Sequence, residues 1–137
     1  MEPTLYDGDR IFVKKSAKYT PKRGDVVVFK SPIDPDVSYV NRIVAFEGEF
    51  VEIKDNTVYI NGERLKCHPL QEIEYVSTGK FALEGKPFTV SWNSFFVLGD
   101  NSNESADSRF YGSVPEHCLI GKAYKIYWPF KHMGLIE

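Results

Sequence analysis

The chain has only two cysteines among its 137 residues, no long apolar run and no strong excess of charge. Two cysteines allow at most one disulfide, and the sequence does not reveal whether Cys67 and Cys118 are close enough to form it. No stretch reaches 18 apolar residues and no signal peptide is visible, so we expect no membrane span within the chain. The net charge of −2, with dispersed Lys and Arg, gives no reason to propose a nucleic-acid partner.

Metal and phosphate sites are weakly indicated. Two adjacent Cys-His pairs, at 67–68 and 117–118, lack the two-to-four-residue spacing that zinc ligands usually have. The segment that begins at Asp100 has Ser105 and Tyr111 where a calcium loop needs glycine and glutamate. Nothing resembles a glycine-rich phosphate loop. The sequence therefore predicts neither a metal nor a cofactor.

What the chain does have is β-forming sequence, with 42% hydrophobic and 15% aromatic residues. The Asn-Gly pair at 61–62, between two short apolar runs, is the strongest hairpin signal. The patterns predict strands at 10–14, 26–30, 38–46, 50–54, 57–60, 63–65, 88–90, 95–98 and 123–127, and one helical turn at 115–118. We expect a mainly β fold of folded-over antiparallel β-sheets or a β-barrel with very little helix. Residues 1–50 and 94–137 would form its core, and 51–93 a small β insertion within one compact unit.

The most informative segment is the polar loop 99–109, which follows the apolar run 95–98. Its residues are nearly all small, polar or charged, so they cannot pack their side chains in a core. Such a loop satisfies its carboxylates by local hydrogen bonds and ion pairs, which suits a site better than a scaffold. Asp107 and Arg109, two residues apart, can meet on one side of an extended segment. The alternative is a solvated loop built from turn-forming residues.

Four blocks in this order resemble the type I signal peptidases, the membrane-bound serine proteases that remove secretory leader sequences. They are Met-Glu-Pro-Thr-Leu at 1–5 with the strand start at 8–15, the Gly-Asp strand start at 23–30, Tyr-Val-Asn-Arg-Ile-Val at 39–44, and the loop 99–109. The resemblance covers most of the chain and is weak over 51–93. The last block is the most specific of the four.

The resemblance implies a serine–lysine dyad, with the serine immediately before Met1 and the lysine immediately before Arg42. A lysine pKa is ordinarily near 10.4, and burial lowers it, so that the amine can take the proton of the serine. The resemblance makes Ser105 the residue that orients this base. The residues that it implies as supports of the site are Asp100, Asp107, Arg109 and Arg42.

The sequence departs from this pattern at both chemical positions. The serine expected before Met1 is absent, which a truncation would explain, and Asn41 occupies the position of the lysine. An asparagine amide does not titrate in the useful range, and the guanidinium of Arg42 stays protonated, so neither can serve as the base. We expect no peptide cleavage by this mechanism. Asn41 itself is either an engineered inactivation or a feature of a degenerate relative.

The resemblance also implies the partners, namely leader peptides of exported proteins, the membrane surface and the secretion machinery. Leader peptides would bind extended against strand edges, with small side chains in two apolar pockets. The matching positions, for which ordinary core packing is the alternative, are Met1, Pro3, Leu5, Ile11, Val28, Tyr39 and Val40. The implied location is the extracytoplasmic face of the cell membrane, with a membrane anchor before Met1. Aromatic residues at 110–111 and 126–130 are candidates for lipid contact.

Three functions remain open. The first is the protease domain of a signal peptidase that is inactive in this chain. The second is a natural non-catalytic relative that binds exported proteins as an assembly factor. The third is a different serine–lysine hydrolase, such as a self-cleaving repressor, but those proteins normally lack the loop 99–109 and carry a DNA-binding region. The residues encoded at position 41 and before Met1 in the native gene would separate the first two.

Overall fold

The computed structural model describes all residues 1–137 and confirms the mainly β fold with little helix. The only α-helix, α1, is the single turn Ser108–Tyr111. The strands, in chain order, are β1 Arg10–Lys15, β2 Val26–Lys30, β3 Ser38–Phe46, β4 Phe50–Lys54, β5 Thr57–Ile60, β6 Glu63–Arg64, β7 Phe88–Thr89, β8 Ser94–Leu98, β9 Val114–Pro115, β10 Leu119–Trp128 and β11 Gly134–Leu135. Short 3₁₀ turns span Ser16–Lys18, Leu70–Glu72, Glu116–Cys118 and Phe130–His132. No helix has the length and apolar character needed to cross a membrane.

The larger sheet has seven antiparallel strands in the order β1-β10-β2-β3-β8-β9, with β11 paired to β10. Two strands from opposite ends of the chain, β1 and β10, therefore lie side by side. The strand β3 is central: its residues 38–42 pair with β2 and its residues 42–46 pair with β8, so Arg42 pairs with both. Its first residues, Ser38–Asn41, pair with β2 alone, so one edge of this part of β3 carries no neighbouring strand. The two sheets are open and do not close into a barrel.

The smaller sheet has four strands in the order β6-β5-β4-β7 and comes from residues 50–89. Its hairpin turns use left-handed backbone conformations, with φ of 53° at Asn61 and 82° at Gly62, and of 51° at Asp55 and 58° at Asn56. Asn-Gly is suited to such a two-residue turn because both residues tolerate positive φ. The hairpin predicted at 61–62 is confirmed.

Three clusters of buried side chains hold the sheets together. The largest joins Phe96 and Leu98 of β8 to the inner face of the smaller sheet. A second packs Phe29 and Ile43 on the other face of the large sheet. The third, around Leu5, Val26, Ala123 and Ile126, packs the opening segment against the neighbouring strands β2 and β10 of the large sheet. The third cluster positions the candidate site, because it fixes residues 1–5 beside β3.

Several predicted boundaries are wrong. The last strand runs over ten residues, Leu119–Trp128, where the pattern predicted five, because it pairs with β1 on one side and β2 on the other through register shifts that break the alternation. Gly121 lies where a Cβ would be 2.1 Å from the Lys14 carbonyl oxygen, so only glycine permits the two strands to approach there. The helix α1 and the two-residue strands β9 and β11 were not predicted, since they are too short to show a period.

Candidate functional site

The polar loop 99–109 connects the end of β8 to α1 and folds back over β3. Asp107 is the N-cap of α1 and accepts a hydrogen bond from the Arg109 amide at 3.1 Å. Ser108 Oγ accepts from the Val97 amide at 2.9 Å, which ties the helix start to β8. Asparagine, serine and aspartate begin helices in this way because their oxygens satisfy amides that the first turn leaves free. The loop is thus tied to β8 just after Ser105.

Asn41 and Ser105 meet across this loop. Asn41 is 3% exposed, and either orientation of its amide places a polar atom 3.2 Å from Ser105 Oγ. With Oδ1 toward the loop, it accepts from Ser105 Oγ and from the Gly99 amide, each at 3.2 Å, while Nδ2 donates to the Val40 carbonyl at 3.2 Å. This orientation satisfies every polar atom of the buried amide, which burial requires. The contact links two neutral groups and provides no proton acceptor of useful basicity.

Gly99 makes the approach of Ser105 to Asn41 possible. A Cβ at Gly99 would lie 1.9 Å from Ser105 Oγ and 2.4 Å from Ser105 Cβ. No side chain fits in that space, so Ser105 could not keep its position above any other residue. The Gly99 carbonyl oxygen accepts a hydrogen bond from the Tyr75 hydroxyl at 3.0 Å. Tyr75 is buried, and burial together with the charges of Asp100 and Asp107 raises its pKa, so it stays a neutral donor.

Two buried ion pairs lie beneath the loop, and we call their four residues, Arg42, Asp100, Asp107 and Arg109, the support network. Asp107 accepts from Arg109 Nε and Nη2, both at 2.9 Å, and from the Gly99 amide at 3.1 Å. The Asp107 side chain is fully buried and that of Arg109 is 3% exposed. Arg109 Nη2 also donates to the Ser102 carbonyl at 2.7 Å. Two-point contacts of this kind fix geometry as well as charge.

The second pair of the support network ties the opening segment to the loop. Arg42 donates through Nε and Nη2 to the carboxylate of Asp100, at 2.9 and 2.6 Å, and through Nη1 to the Gly24 carbonyl at 2.7 Å. The Thr4 hydroxyl also donates to Asp100, and Met1 Sδ accepts from the Asp100 amide at 3.4 Å. Residues 1–5 are therefore attached directly to the end of β8.

An open apolar pocket of about 330 Å³ is lined by Val40, the residue directly before Asn41. Four of the residues proposed to bind substrate line it, namely Met1, Leu5, Ile11 and Val40. Val28 packs against the same cluster from β2 without lining the pocket. Residues 6–9 form the remaining side.

The structure does not bring Pro3 or Tyr39 to this pocket. Pro3 is exposed. Tyr39 points to the opposite face of β3 from Val40, because neighbouring strand residues alternate. There it packs in the second cluster, with its ring 6.1 Å from that of Tyr111 at an interplanar angle of 12°. Burial and the charge of Asp107 raise the pKa of Tyr111, whose hydroxyl donates to the Ala106 carbonyl at 3.3 Å.

Comparison with known proteins identifies the family. Residues 1–128 match the family model described as signal peptidase, peptidase S26. The chain belongs to the signal peptidase I family. It is 36% identical to signal peptidase I of Bacillus licheniformis over 143 residues, which covers 97% of this chain and 74% of the relative. It is 34% identical to a probable signal peptidase I-2 of Synechocystis, covering 99% of this chain and 62% of the relative.

A solved signal peptidase I, from Enterococcus faecalis, has the same fold. It aligns with a TM-score of 0.61 and 30% identity, over 76% of this chain and 97% of that one. Together with the sequence relatives, it confirms the resemblance drawn from the four sequence blocks. Within this signal peptidase I fold, the roles assigned to Asn41, Ser105 and the support network remain predictions.

Sequence reasoning missed several residues that shape the site in this signal peptidase I chain. Gly99 could have been predicted, since a glycine at the junction of an apolar strand and a polar loop indicates that another part of the chain approaches the backbone closely there. Thr4 and Tyr75 gave no signal, because their contacts join segments far apart in the chain. Lys14, Lys15, Lys22 and Lys30 are all exposed, so none of them supplies a buried amine in place of Asn41.

Proposed function

We propose that this chain is the extracytoplasmic domain of a signal peptidase I, that it binds the leader peptides of exported proteins, and that it does not cleave them while asparagine occupies position 41. The observation that carries the proposal is the pairing of Asn41 with Ser105 at 3.2 Å, on a strand whose Val40 lines an apolar pocket and whose edge at Ser38–Asn41 is unpaired. The Asn41–Ser105 contact and the pocket supply the place for a peptide bond, and the strand edge supplies a way to hold the peptide.

The free edge at Ser38–Asn41 supports peptide binding. It pairs with β2 on one side only, so its other edge can accept an extended peptide as an added strand. In this mode main-chain hydrogen bonds give affinity, and alternate side chains entering pockets give specificity. Val40, on this edge, also lines the pocket of about 330 Å³. A peptide that pairs here would place every second side chain against Met1, Leu5 and Ile11.

Asn41 supports the absence of cleavage. It is the residue directly before Arg42, where the family resemblance implies a lysine, and it makes hydrogen bonds through both ends of its amide. An amide cannot take a proton from a serine hydroxyl. The support network beside it is complete, which favours an enzyme altered at one position. A natural peptide-binding relative is the second candidate, and a native gene that encodes asparagine at position 41 would favour it.

Exposed aromatic side chains support contact with a membrane surface. Trp128 is 46% exposed and Phe130 is 75% exposed, and their rings lie 5.7 Å apart. Aromatic rings with a polar edge favour the membrane–water interface. Of the other lipid-contact candidates, Tyr127 and Phe110 are exposed, whereas Ile126 is 6% exposed and belongs to the core.

Peptide binding is tested by fluorescence anisotropy with a labelled leader peptide that has alanine at the first and third positions before its cleavage site. We expect saturable binding, with the peptide intact by mass spectrometry. Val40→Trp should fill the pocket and weaken binding roughly tenfold or more, about 1.4 kcal/mol. Ile33→Trp is the matched control, because Ile33 is 74% exposed and lies away from the pocket. Absence of binding, or equal loss in both variants, would contradict the proposal.

A further inference from the structure

Residues 6–9, which connect the opening segment to β1, form one wall of the apolar pocket. A contact from the far end of the chain holds this wall. The Asp9 carboxylate accepts from the Tyr6 amide at 2.9 Å and lies 2.7 Å from His132 Nδ1. The rings of Tyr6 and His132 stack with centroids 4.9 Å apart. His132 thus contacts the wall twice, once through Nδ1 at the Asp9 carboxylate and once through its ring on Tyr6.

The C-terminal segment is positioned for this contact by the large sheet. Arg10, next to Asp9, pairs with Trp128 at the end of the β1–β10 ladder. The chain then turns through Phe130–His132, with the His132 amide donating to the Pro129 carbonyl at 3.1 Å. His132 lies outside residues 1–128, the part that matches the family model. The contact therefore belongs to a segment that the family model does not describe.

We propose that His132 is a positioning residue for the pocket, whose contact with Asp9 fixes the wall at residues 6–9, so that peptide affinity depends on the charge of His132. We call this contact the His132–Asp9 clasp. The inference rests on the proposed function, because it takes the pocket to receive peptide side chains. It deepens that function by adding a pH dependence that the site near Asn41 does not supply.

The charges around the clasp give the direction of the effect. Burial opposes ionisation of Asp9, but the hydrogen bonds from the Tyr6 amide and His132, with the positive charges of His132 and Lys131, outweigh it and lower the pKa of Asp9. Asp9 is therefore a carboxylate throughout the neutral range. Histidine is the side chain that gains and loses its charge between about pH 5 and 8. When His132 is protonated the clasp is an ion pair, and when His132 is neutral only a hydrogen bond to Asp9 remains.

The test compares the affinity of the leader peptide at about pH 5.5 and about pH 8, values that bracket histidine protonation. We expect the wild-type chain to bind roughly three to ten times more tightly at the lower pH, within the range of one charge-assisted hydrogen bond. His132→Ala and Asp9→Asn should each remove this dependence, and the double variant should behave like either single one. His68→Ala is the matched control, because His68 Nδ1 lies 3.1 Å from Glu72 Oε1 in a comparable contact whose side chains are 66% and 62% exposed. It should leave the dependence unchanged.

A second measurement needs no peptide. The chemical shift of the Tyr6 amide proton should follow the titration of His132, and His132→Ala should abolish that transition. If no leader peptide binds at any pH, the proposed function fails, and the amide titration alone upholds or rejects the clasp. If the peptide binds but His132→Ala keeps the wild-type pH dependence, the clasp is wrong while the proposed function stands. Equal melting temperatures of the variants would confirm that both comparisons involve folded protein.

Discussion

The support network and the Asn41–Ser105 contact are neighbours, and they are built in opposite ways. The network consists of four buried charged side chains, each with at least two partners. The contact between Asn41 and Ser105 joins two neutral side chains, one of which, Ser105, is only partly buried. The support network is held by charge and by many hydrogen bonds, whereas the Asn41–Ser105 contact is held by a few neutral hydrogen bonds.

This difference separates the framework of the site from its chemistry. Removing one partner of a buried ion pair leaves an uncompensated charge, so a change in the network should cost several times more stability than a change at position 41. A neutral hydrogen bond contributes about 0.5–1.5 kcal/mol, so position 41 can change while the framework stays. A chain can therefore keep the geometry of an active site after the reacting group has been replaced. The following three variants test this separation.

The largest effect is expected at position 41. A chain with serine before Met1, the residues around that serine that supply oxyanion donors, and Asn41→Lys should cleave a leader peptide. It should be at least about 10⁴-fold faster than the same chain with Asn41, as for loss of one dyad member in other serine hydrolases. Because position 41 is 3% exposed, burial should lower the lysine pKa, and the rate should rise with pH through that value.

The control for this experiment is Asn41→Met in the same extended chain. Methionine supplies an apolar stem similar to that of lysine and no amine. It should remain inactive, since a base is needed to take the serine proton. Cleavage by the methionine variant would show that another base operates. A folded lysine variant that binds the peptide without cleaving it would favour the natural binding protein.

The next effect is on stability. Arg109→Ala leaves the fully buried Asp107 carboxylate without its cation, and we expect a loss of about 3–5 kcal/mol in the free energy of unfolding. Urea denaturation measures it. Arg64→Ala, on the exposed strand β6, should change the same quantity by no more than about 0.5 kcal/mol. Equal stabilities of the two variants would mean that the support network does not hold the site.

The smallest effect is expected at Gly99. Gly99→Ala would place a methyl group 1.9 Å from Ser105 Oγ, so Ser105 must move away from Asn41. Overpacking of this kind costs about 1–3 kcal/mol. Ser105→Gly in the same chain removes the obstructing side chain and should restore most of the lost stability in a denaturation cycle. If Ser105→Gly restores none of the stability lost in Gly99→Ala, the contact between Gly99 and Ser105 is not what requires glycine at position 99.

The predicted and observed folds agree where local patterns are strong. Strands β2, β3, β4 and β5 have the bounds that alternation and turn residues predicted, and the turn at 61–62 follows from the positive φ that Asn-Gly permits. The extent of β10 was not predictable from its own residues. Its length depends on two partner strands that are distant in sequence, and its alternation is interrupted at Gly121.

The candidate site was predictable where one short motif contains both partners. Asp107 and Arg109 are two residues apart, and they pair as predicted. The proximity of Asn41 to Ser105 came from the family resemblance, since no local pattern links residues that far apart. The different surroundings of Tyr39 and Val40 follow from strand alternation. The contact of Asp9 with His132 had no sequence signal, because it depends on how the chain turns after β10.

The position of β10 between β1 and β2 also determines the order in which the molecule can be assembled. As the chain is synthesised from its first residue, β1 has no hydrogen-bonding partner until residues 119–128 have emerged. Pairings between distant segments make folding slow, because the intervening chain must be ordered before they can form. Newly made β1 and β2 therefore present open edges to other chains throughout synthesis, a period in which they are exposed to aggregation. The candidate site, which needs residues 1–5 beside β3, is completed only when β10 takes its place between β1 and β2 and supplies Ala123 and Ile126 to the cluster around Leu5.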